Sequence, residues 1–367
     1  NHYICPEMEK LLGKNLQELR EAAVSCGLKA FVGSQIADWL YKKRAVCWEQ
    51  MRNVSSAAKQ ALQEKYGLGT AAPAGKAVSA DGTVKYLFPV GGKNIPPRPA
   101  ATPPMTGGES GESGEFVEAV MIPEEDRKTL CVSSQAGCRM GCRFCMTGRQ
   151  GWHGNLSAAD ILNQFLSVEE ASGLTNAVFM GMGEPLDNYE AVSRALEVLT
   201  APWGFGWSPK RITVSTIGVL GNLERYLEEQ RCHLAVSLHN PFPEERAEMM
   251  PVQKAYDEKA IVDLIRRYDF SGQRRVSFEY TMFGGWNDDK RHADALIRLL
   301  KGLECRVNLI RFHKIPDFPY ETSSPSAMEA FRDRLNNNGI TCTIRASRGE
   351  DILAACGMLA GQHNTGR

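Results

Sequence analysis

The feature that most constrains this chain is a group of three cysteines within eight positions. Cys138, Cys142 and Cys145 are spaced as C-x3-C-x2-C. Three thiolates this close can hold a metal, but a closed structural zinc site requires four protein ligands. A [4Fe–4S] cluster has four irons, so three cysteines leave one iron open for a substrate's amino and carboxylate groups. The spacing therefore favours an iron–sulfur cluster, with a zinc loop or small buried thiols as the alternatives.

Charge and cysteine usage bound the classes of protein that are possible. Lys plus Arg and Asp plus Glu number 43 each, so any RNA site must be a local basic surface rather than a field of the whole molecule. No apolar run approaches the ~20 residues of a membrane span. The 11 cysteines are an odd number and, outside the triad, stand singly, which does not suit a disulfide framework. We expect a cytoplasmic protein with no membrane partner.

Hydrophobic periodicity predicts an α/β protein with four regions. Residues 1–72 predict a small N-terminal helical domain, and residues 73–122 a β-hairpin linker. Within the linker, 91–115 is rich in Gly, Pro, Ser and Thr and predicts a flexible excursion. Residues 123–346 alternate strands and helices in about six units, which predicts a parallel sheet in a partial, TIM-like (βα)6 barrel. Residues 347–367 form a C-terminal segment.

The barrel region has seven candidate strands and six candidate helices. The strands are 130–134, 176–181, 211–215, 232–238, 275–281, 305–310 and 340–346, and the helices are 157–171, 187–200, 219–228, 258–268, 288–301 and 325–337. Such barrels carry their active sites at the carboxyl ends of the strands. The cysteine loop follows the first strand, which is where a barrel presents its chemistry.

Polar residues also follow later strands. The turn Gly-Met-Gly-Glu-Pro contains Gly183 and Glu184. Glycine allows the backbone to approach a ligand closely, and a carboxylate can accept hydrogen bonds from an ammonium group. Ser215 and Ser237 place hydroxyls at two further strand ends, and His239 follows the second. The alternatives are a structural turn and a histidine satisfied in the core.

Basic residues give weaker signals. The run at positions 42–44, Lys-Lys-Arg, is either an RNA contact or a solvated helix end. Lys128 and Arg139 lie close in sequence to the triad and are candidates to touch RNA phosphates. Two single cysteines, Cys131 and Cys356, lie outside the triad, and from the residues alone each is only an unpaired thiol.

Taken together, these segments resemble the radical S-adenosylmethionine (SAM) enzymes, and in particular the RlmN/Cfr family of RNA methyltransferases. The resemblance spans nearly the whole chain except 91–115. It is carried by the cysteine triad, by the upstream Cys131 and by the C-terminal sequence Ala-Ala-Cys-Gly around Cys356.

The resemblance implies two cofactors, a [4Fe–4S] cluster and SAM, and a role for each matched residue. The cluster ligands would be Cys138, Cys142 and Cys145. The SAM contacts would be Gly183, Glu184, Ser215, Ser237, Leu238, His239 and His313, the last standing where the family commonly has Asn. Cys356 would carry the methyl group, Cys131 would be its resolving partner in a disulfide, and Glu118 would be the base.

The implied reaction is methylation of adenosine C2 in ribosomal RNA and tRNA by a methyl-cysteine relay. Methylation of C8, as in Cfr, is the alternative among enzymes, and a zinc-stabilised RNA-binding module is the alternative from another class. We also expect an electron donor such as flavodoxin and a monomeric protein.

Overall fold

The computed structural model of the chain describes residues 8–90, 115–272 and 274–360. The strands are β1 (Glu9–Lys10), β2 (Tyr66–Gly67), β3 (Gly75–Val78), β4 (Val84–Val90), β5 (Glu115–Pro123), β6 (Lys128–Cys131), β7 (Gln135–Gly137), β8 (Trp152–Asn155), β9 (Asn176–Phe179), β10 (Ile212–Thr216), β11 (His233–Ser237), β12 (Val276–Met282), β13 (Arg306–Arg311) and β14 (Thr341–Ile344). The predicted excursion at 91–115 lies outside the described residues except for Glu115, where β5 begins.

The helices alternate with the later strands. They are α1 (Leu16–Ser25), α2 (Ala30–Ala37), α3 (Ser56–Gln63), α4 (Met146–Arg149), α5 (Ala158–Leu166), α6 (Tyr189–Thr200), α7 (Leu220–Glu229), α8 (Pro243–Met249), α9 (Glu258–Ile265), α10 (Lys290–Leu300) and α11 (Pro325–Asn337). None of the described helices is long and apolar enough to cross a membrane.

Ten strands form one sheet in the order β14-β13-β12-β11-β10-β9-β6-β5-β4-β3. The seven strands from β6 to β14 pair in parallel, whereas β5, β4 and β3 extend the sheet antiparallel. Helices α5, α6, α7, α9, α10 and α11 connect successive parallel strands. The prediction of an α/β fold with an open, partial (βα)6 barrel is therefore confirmed.

Local sequence signals explain where several helices begin. Asn15 caps α1, because its side chain accepts the Glu18 N–H at 2.9 Å while the Glu18 carboxylate accepts the Asn15 N–H at 2.7 Å. Ser157 and Asp160 form the equivalent box at α5. Helix α2 begins at Ala30, and its N-cap residue Lys29 makes no side-chain capping hydrogen bond.

The C-terminal segment spans the open side of the barrel between two anchors. At one anchor, the Asp351 carboxylate accepts the Ser79 hydroxyl at 2.5 Å and the Ala80 N–H at 3.1 Å, in the turn between β3 and β4. At the other, the Thr147 hydroxyl on α4 donates to the Leu359 carbonyl at 2.7 Å. The segment that carries Cys356 is thereby held between the hairpin and the cysteine loop.

Candidate active site

A pocket at the carboxyl ends of the barrel strands contains the cysteine triad, and we call it the cysteine pocket. Nine of the predicted site residues line it: Cys138, Cys142, Cys145, Gly183, Glu184, Ser215, Ser237, His239 and Cys356. Four predicted residues are not in its lining: Glu118, Cys131, Leu238 and His313. The fold therefore brings residues separated by more than 200 positions into one site.

The three triad thiols interact with one another in this pocket. Burial raises the pKa of Cys138 to about 12, and it also raises the pKa of Cys145. The pKa of Cys142 is raised furthest, first by burial and then by charge on its two partners. Three buried thiolates would repel each other without a cationic centre, so this donor set fits an iron–sulfur cluster.

The triad does not converge on one point. Within the described residues, no group of three His, Cys, Asp or Glu side chains is close enough to hold a single metal ion. In a four-iron cluster, each cysteine binds a different iron, so its ligands need not meet at one atom. Cys138, Cys142 and Cys145 are thus the residues that would hold such a cluster.

Glu184 is the buried carboxylate of the pocket. Its side chain is 3% exposed and accepts the N–H groups of Leu186 at 3.0 Å and Ile217 at 2.9 Å. Burial raises its pKa to about 7, although these hydrogen bonds oppose the shift. Gly183 has a φ of +96°, and a Cβ there would lie 2.5 Å from the Cβ of Gln135. Only glycine allows this turn to bring the carboxylate into the pocket.

His239 presents a defined tautomer to the pocket. Its Nδ1 accepts the Thr281 N–H at 3.0 Å, and burial lowers its pKa to about 3, so the ring is neutral. The proton must then be on Nε2, which makes this atom a hydrogen-bond donor. Asn287 holds the residue in its left-handed conformation, with φ at +60°, by donating to the His239 carbonyl at 2.8 Å.

Leu238 and His313 make other contacts. Leu238 is buried, and its N–H donates to the Glu279 carbonyl. His313 has Nε2 at 3.1 Å from the Ser347 hydroxyl and Nδ1 at 3.2 Å from a Glu350 carboxylate oxygen. The structure thus places His313 against the C-terminal segment, while its neighbour Phe312 lines the cysteine pocket.

Cys131 and Cys356, the two predicted site cysteines outside the triad, both interact electrostatically with Arg345. Burial, together with charge on Cys356, raises the pKa of Cys131 to about 12. Burial also raises the pKa of Cys356, whereas Arg345 lowers it. Cys356 is exposed and belongs to the pocket lining. Both are free thiols, as is every cysteine in the described ranges, so the predicted disulfide is not formed in this structure.

Glu118 is 2% exposed, and both of its carboxylate oxygens are engaged. One lies 2.9 Å from the Lys85 ammonium, and the other accepts the Ala360 N–H at 2.8 Å. Its backbone carbonyl accepts the Ser133 hydroxyl at 2.6 Å, next to the start of the cysteine loop. The residue therefore ties the C-terminal segment to the strand that precedes the triad.

Sequence reasoning missed an acid–base pair in the pocket lining. Glu279 on β12 is 3% exposed, lies 3.5 Å from the Arg345 guanidinium and accepts the Asn308 amide at 2.8 Å. A carboxylate inside a strand that is otherwise largely apolar was the available signal, because strands of a parallel sheet are covered on both faces. Arg345 follows β14 and offered no local pattern.

An open parallel barrel with three thiols after its first strand defines a radical SAM enzyme, and comparison with known proteins agrees. Residues 132–296 match the model of the radical SAM superfamily, and residues 9–67 match the N-terminal domain of the ribosomal RNA large subunit methyltransferase. A solved radical SAM methyltransferase from Sphaerobacter thermophilus superposes with a TM-score of 0.86 at 34% identity, covering 96% of this chain and 100% of that one.

Individual relatives identify the family within the radical SAM class to which the chain belongs. A protein of Porphyromonas gingivalis named "Probable dual-specificity RNA methyltransferase RlmN" is 58% identical over 95% of this chain and 96% of its own length. A protein of the same name from Parabacteroides distasonis is 53% identical over 98% of each chain. The chain therefore belongs to the RlmN family of radical SAM methyltransferases.

Proposed function

We propose that this protein methylates C2 of adenosine in ribosomal RNA and tRNA, with the methyl group carried on Cys356. The observation that supports this most directly is the presence of Cys356 in the same pocket as the triad and Glu184. A cysteine that only stabilised the fold would have no reason to lie there. The names of the curated relatives support RNA as the substrate.

The pocket residues divide into binding and chemical roles. Cys138, Cys142 and Cys145 hold the cluster, while Glu184 and the Nε2–H of His239 are suited to the ammonium and to an acceptor group of SAM. When bound, the cluster and SAM supply the methyl group and the hydrogen-atom abstraction that an electron-poor adenine C2 requires.

Cys131 then releases the product. Its thiolate attacks the Cys356 sulfur, which forms the S–S bond and breaks the C–S bond, so that the bonding pair leaves with the transferred carbon, which takes up a proton to complete the methyl group. Both cysteines need deprotonation, and Arg345 is the cation that favours their thiolates. Cellular thiols then reduce the Cys131–Cys356 disulfide and are themselves oxidised, which regenerates both cysteines, and an electron donor such as flavodoxin reduces the cluster.

We propose Glu118 as the base that takes the C2 proton. In the conformation described here, its two oxygens are held by Lys85 and by the Ala360 N–H. It can accept the proton only after one of these contacts opens. Movement of the C-terminal segment would release the Ala360 contact, so proton transfer is coupled to the segment that carries Cys356.

The relay is tested with Cys131→Ala in the reconstituted holoenzyme. Without a resolving thiol, the RNA stays linked to Cys356, and we expect a covalent RNA–protein adduct on a denaturing gel. Cys305→Ala, a single cysteine outside the pocket lining, is the matched control and forms no adduct. Normal turnover by Cys131→Ala would exclude the resolving role, and nucleoside mass spectrometry of the wild type separates C2 from C8 methylation.

A further inference from the structure

A second cavity, of about 500 Å³, opens on the other end of the barrel, and we call it the basic cavity. Its lining begins at the amino ends of the strands, with Thr129 of β6, Asn176 of β9, Thr213 of β10 and His233 of β11. It continues to residues that end β13 or follow β14. Its volume lies in the range of sites that enclose a ligand of nucleotide size.

The lining of this cavity is strongly cationic. It contains one carboxylate, Glu124, and seven Lys or Arg side chains: Arg127, Lys210, Arg211, Arg275, Arg311, Arg345 and Arg348. The whole chain has a net charge of +0, so this excess is a local concentration of charge. Such a concentration attracts a polyanion wherever it is not neutralised internally.

Most of these cations are not neutralised by the protein. Arg127 pairs with Glu124, and Arg345 pairs with Glu279. The other five have no carboxylate within 4.0 Å among residues 8–90, 115–272 and 274–360. Three of these five, Lys210, Arg211 and Arg275, are exposed to solvent.

Other basic candidates are compensated. Lys43 lies 2.8 Å from the Asp38 carboxylate and stacks on Trp39. Arg44 is partly buried and lies over the rings of Phe205 and Trp207. Arg139, near the triad, pairs with Asp187 at 3.0 Å. Lys43 and Arg44 of the run at 42–44, and Arg139, are therefore cations that already have partners.

The basic cavity leads to the methyl-carrying cysteine. Three residues, Ile310, Arg345 and Cys356, line both this cavity and the cysteine pocket. Cys356 is thus accessible from two sides, with the triad on one side and the unpaired cations on the other. A substrate that enters from the cationic side can reach Cys356 without displacing a cofactor held by the triad.

We propose that the basic cavity is the RNA entry site. Lys210, Arg211, Arg275 and Arg348 bind the phosphates of the strand that flanks the target adenosine, and the unstacked base extends towards Cys356. This inference rests on the proposed RNA methylation and adds to it the surface that receives the RNA. Arg345 lines both cavities and interacts electrostatically with Cys356.

The test neutralises the three exposed cations in the holoenzyme as Lys210→Gln, Arg211→Gln and Arg275→Gln. Binding of a fluorescent tRNA anticodon stem-loop is measured by anisotropy over a series of salt concentrations. Each lost phosphate contact lowers the salt slope by about one, so we expect Kd to rise about 10- to 50-fold at physiological salt. The matched control is the triple variant Lys290→Gln, Arg298→Gln, Lys301→Gln, whose positions lie on or just after α10 and outside the cavity lining. We expect this control to bind RNA with wild-type affinity.

The outcomes separate this inference from the proposed function. If the cavity variant binds RNA like the wild type while the wild type forms 2-methyladenosine, the entry site is wrong and the methylation stands. If the α10 variant loses as much affinity, the effect is total charge and the inference is likewise overturned. If the wild type forms no methylated nucleoside, the proposed function itself fails. Iron content and SAM affinity show whether each variant is folded. If the triple variant does not fold, the single variant Arg275→Gln, at an exposed position, is measured in its place.

Discussion

The two cavities of this barrel differ in size, charge and position although they share three residues. The cysteine pocket, of about 160 Å³, is lined by thiols, apolar side chains and two buried carboxylates, and its one arginine is paired with one of these carboxylates. The basic cavity is about three times larger and carries five cations that have no carboxylate partner in the part of the chain that the structure describes. The difference fits the two proposals made above, in which the carboxyl ends of the strands would hold the cofactors and the amino ends would receive the RNA.

The strongest way to separate the two regions is to compare Cys142→Ala with Cys356→Ala. Cys142→Ala loses a cluster ligand, so we expect loss of iron, of SAM cleavage and of RNA methylation. Cys356→Ala loses only the carrier, so iron and 5′-deoxyadenosine formation remain while RNA methylation falls to background. Iron analysis, chromatography of 5′-deoxyadenosine and nucleoside mass spectrometry measure the three quantities. Methylation by Cys356→Ala would show that the carrier is a different residue.

A smaller effect is expected at Glu184 and is confined to the cysteine pocket. The carboxyl group has a pKa of about 7, and only its ionised form attracts an ammonium group. SAM affinity should therefore fall about tenfold per pH unit below pH 7 and level off above it. Glu184→Gln should bind SAM about 10- to 100-fold more weakly at pH 8, without this inflection, while RNA affinity is unchanged. Calorimetry at several pH values measures both proteins, and an identical pH profile for the variant would contradict the assignment.

The smallest effect is expected outside both cavities, at Lys43. Its ammonium is paired with Asp38 and stacked on Trp39, so it has little free charge to offer a phosphate. An exposed ion pair of this kind contributes about 0–1 kcal/mol. Lys43→Gln should change RNA affinity by less than about twofold in the same anisotropy assay. A loss as large as that of the cavity variant would move the RNA site to the N-terminal domain.

Local patterns in the sequence were sufficient to predict most of the fold and those parts of the site that lie within short segments. The alternation of strands and helices predicted the barrel, and the capping boxes at α1 and α5 each lie within four consecutive residues. The triad and the Gly183–Glu184 turn are each contained in a few consecutive residues, so the sequence displays them directly.

The rest depends on residues that meet only in the folded chain. Lys210, Arg275 and Arg348 come from three separate connections, one cation from each, and no window of the sequence contains their combined charge. The Glu279–Arg345 pair joins β12 to the end of β14 across the intervening β13. His313 follows a strand at a position that fits a SAM contact, yet Ser347 and Glu350 hold its ring in another direction.

The anchoring of the C-terminal segment has a consequence for how far Cys356 can travel. Between the hairpin anchor at Asp351 and the α4 anchor at Leu359, the Gly357 carbonyl also accepts the Met146 N–H at 2.8 Å, directly after Cys356. Leu353 and Gly357 both adopt positive φ, at +53° and +82°, on either side of the cysteine. These hydrogen bonds hold the segment that contains Cys356 and limit how far the Cys356 side chain can move. A substitution of Ser79 in the β3–β4 turn, far in sequence from either thiol, would remove one of these hydrogen bonds and therefore change how far Cys356 can move.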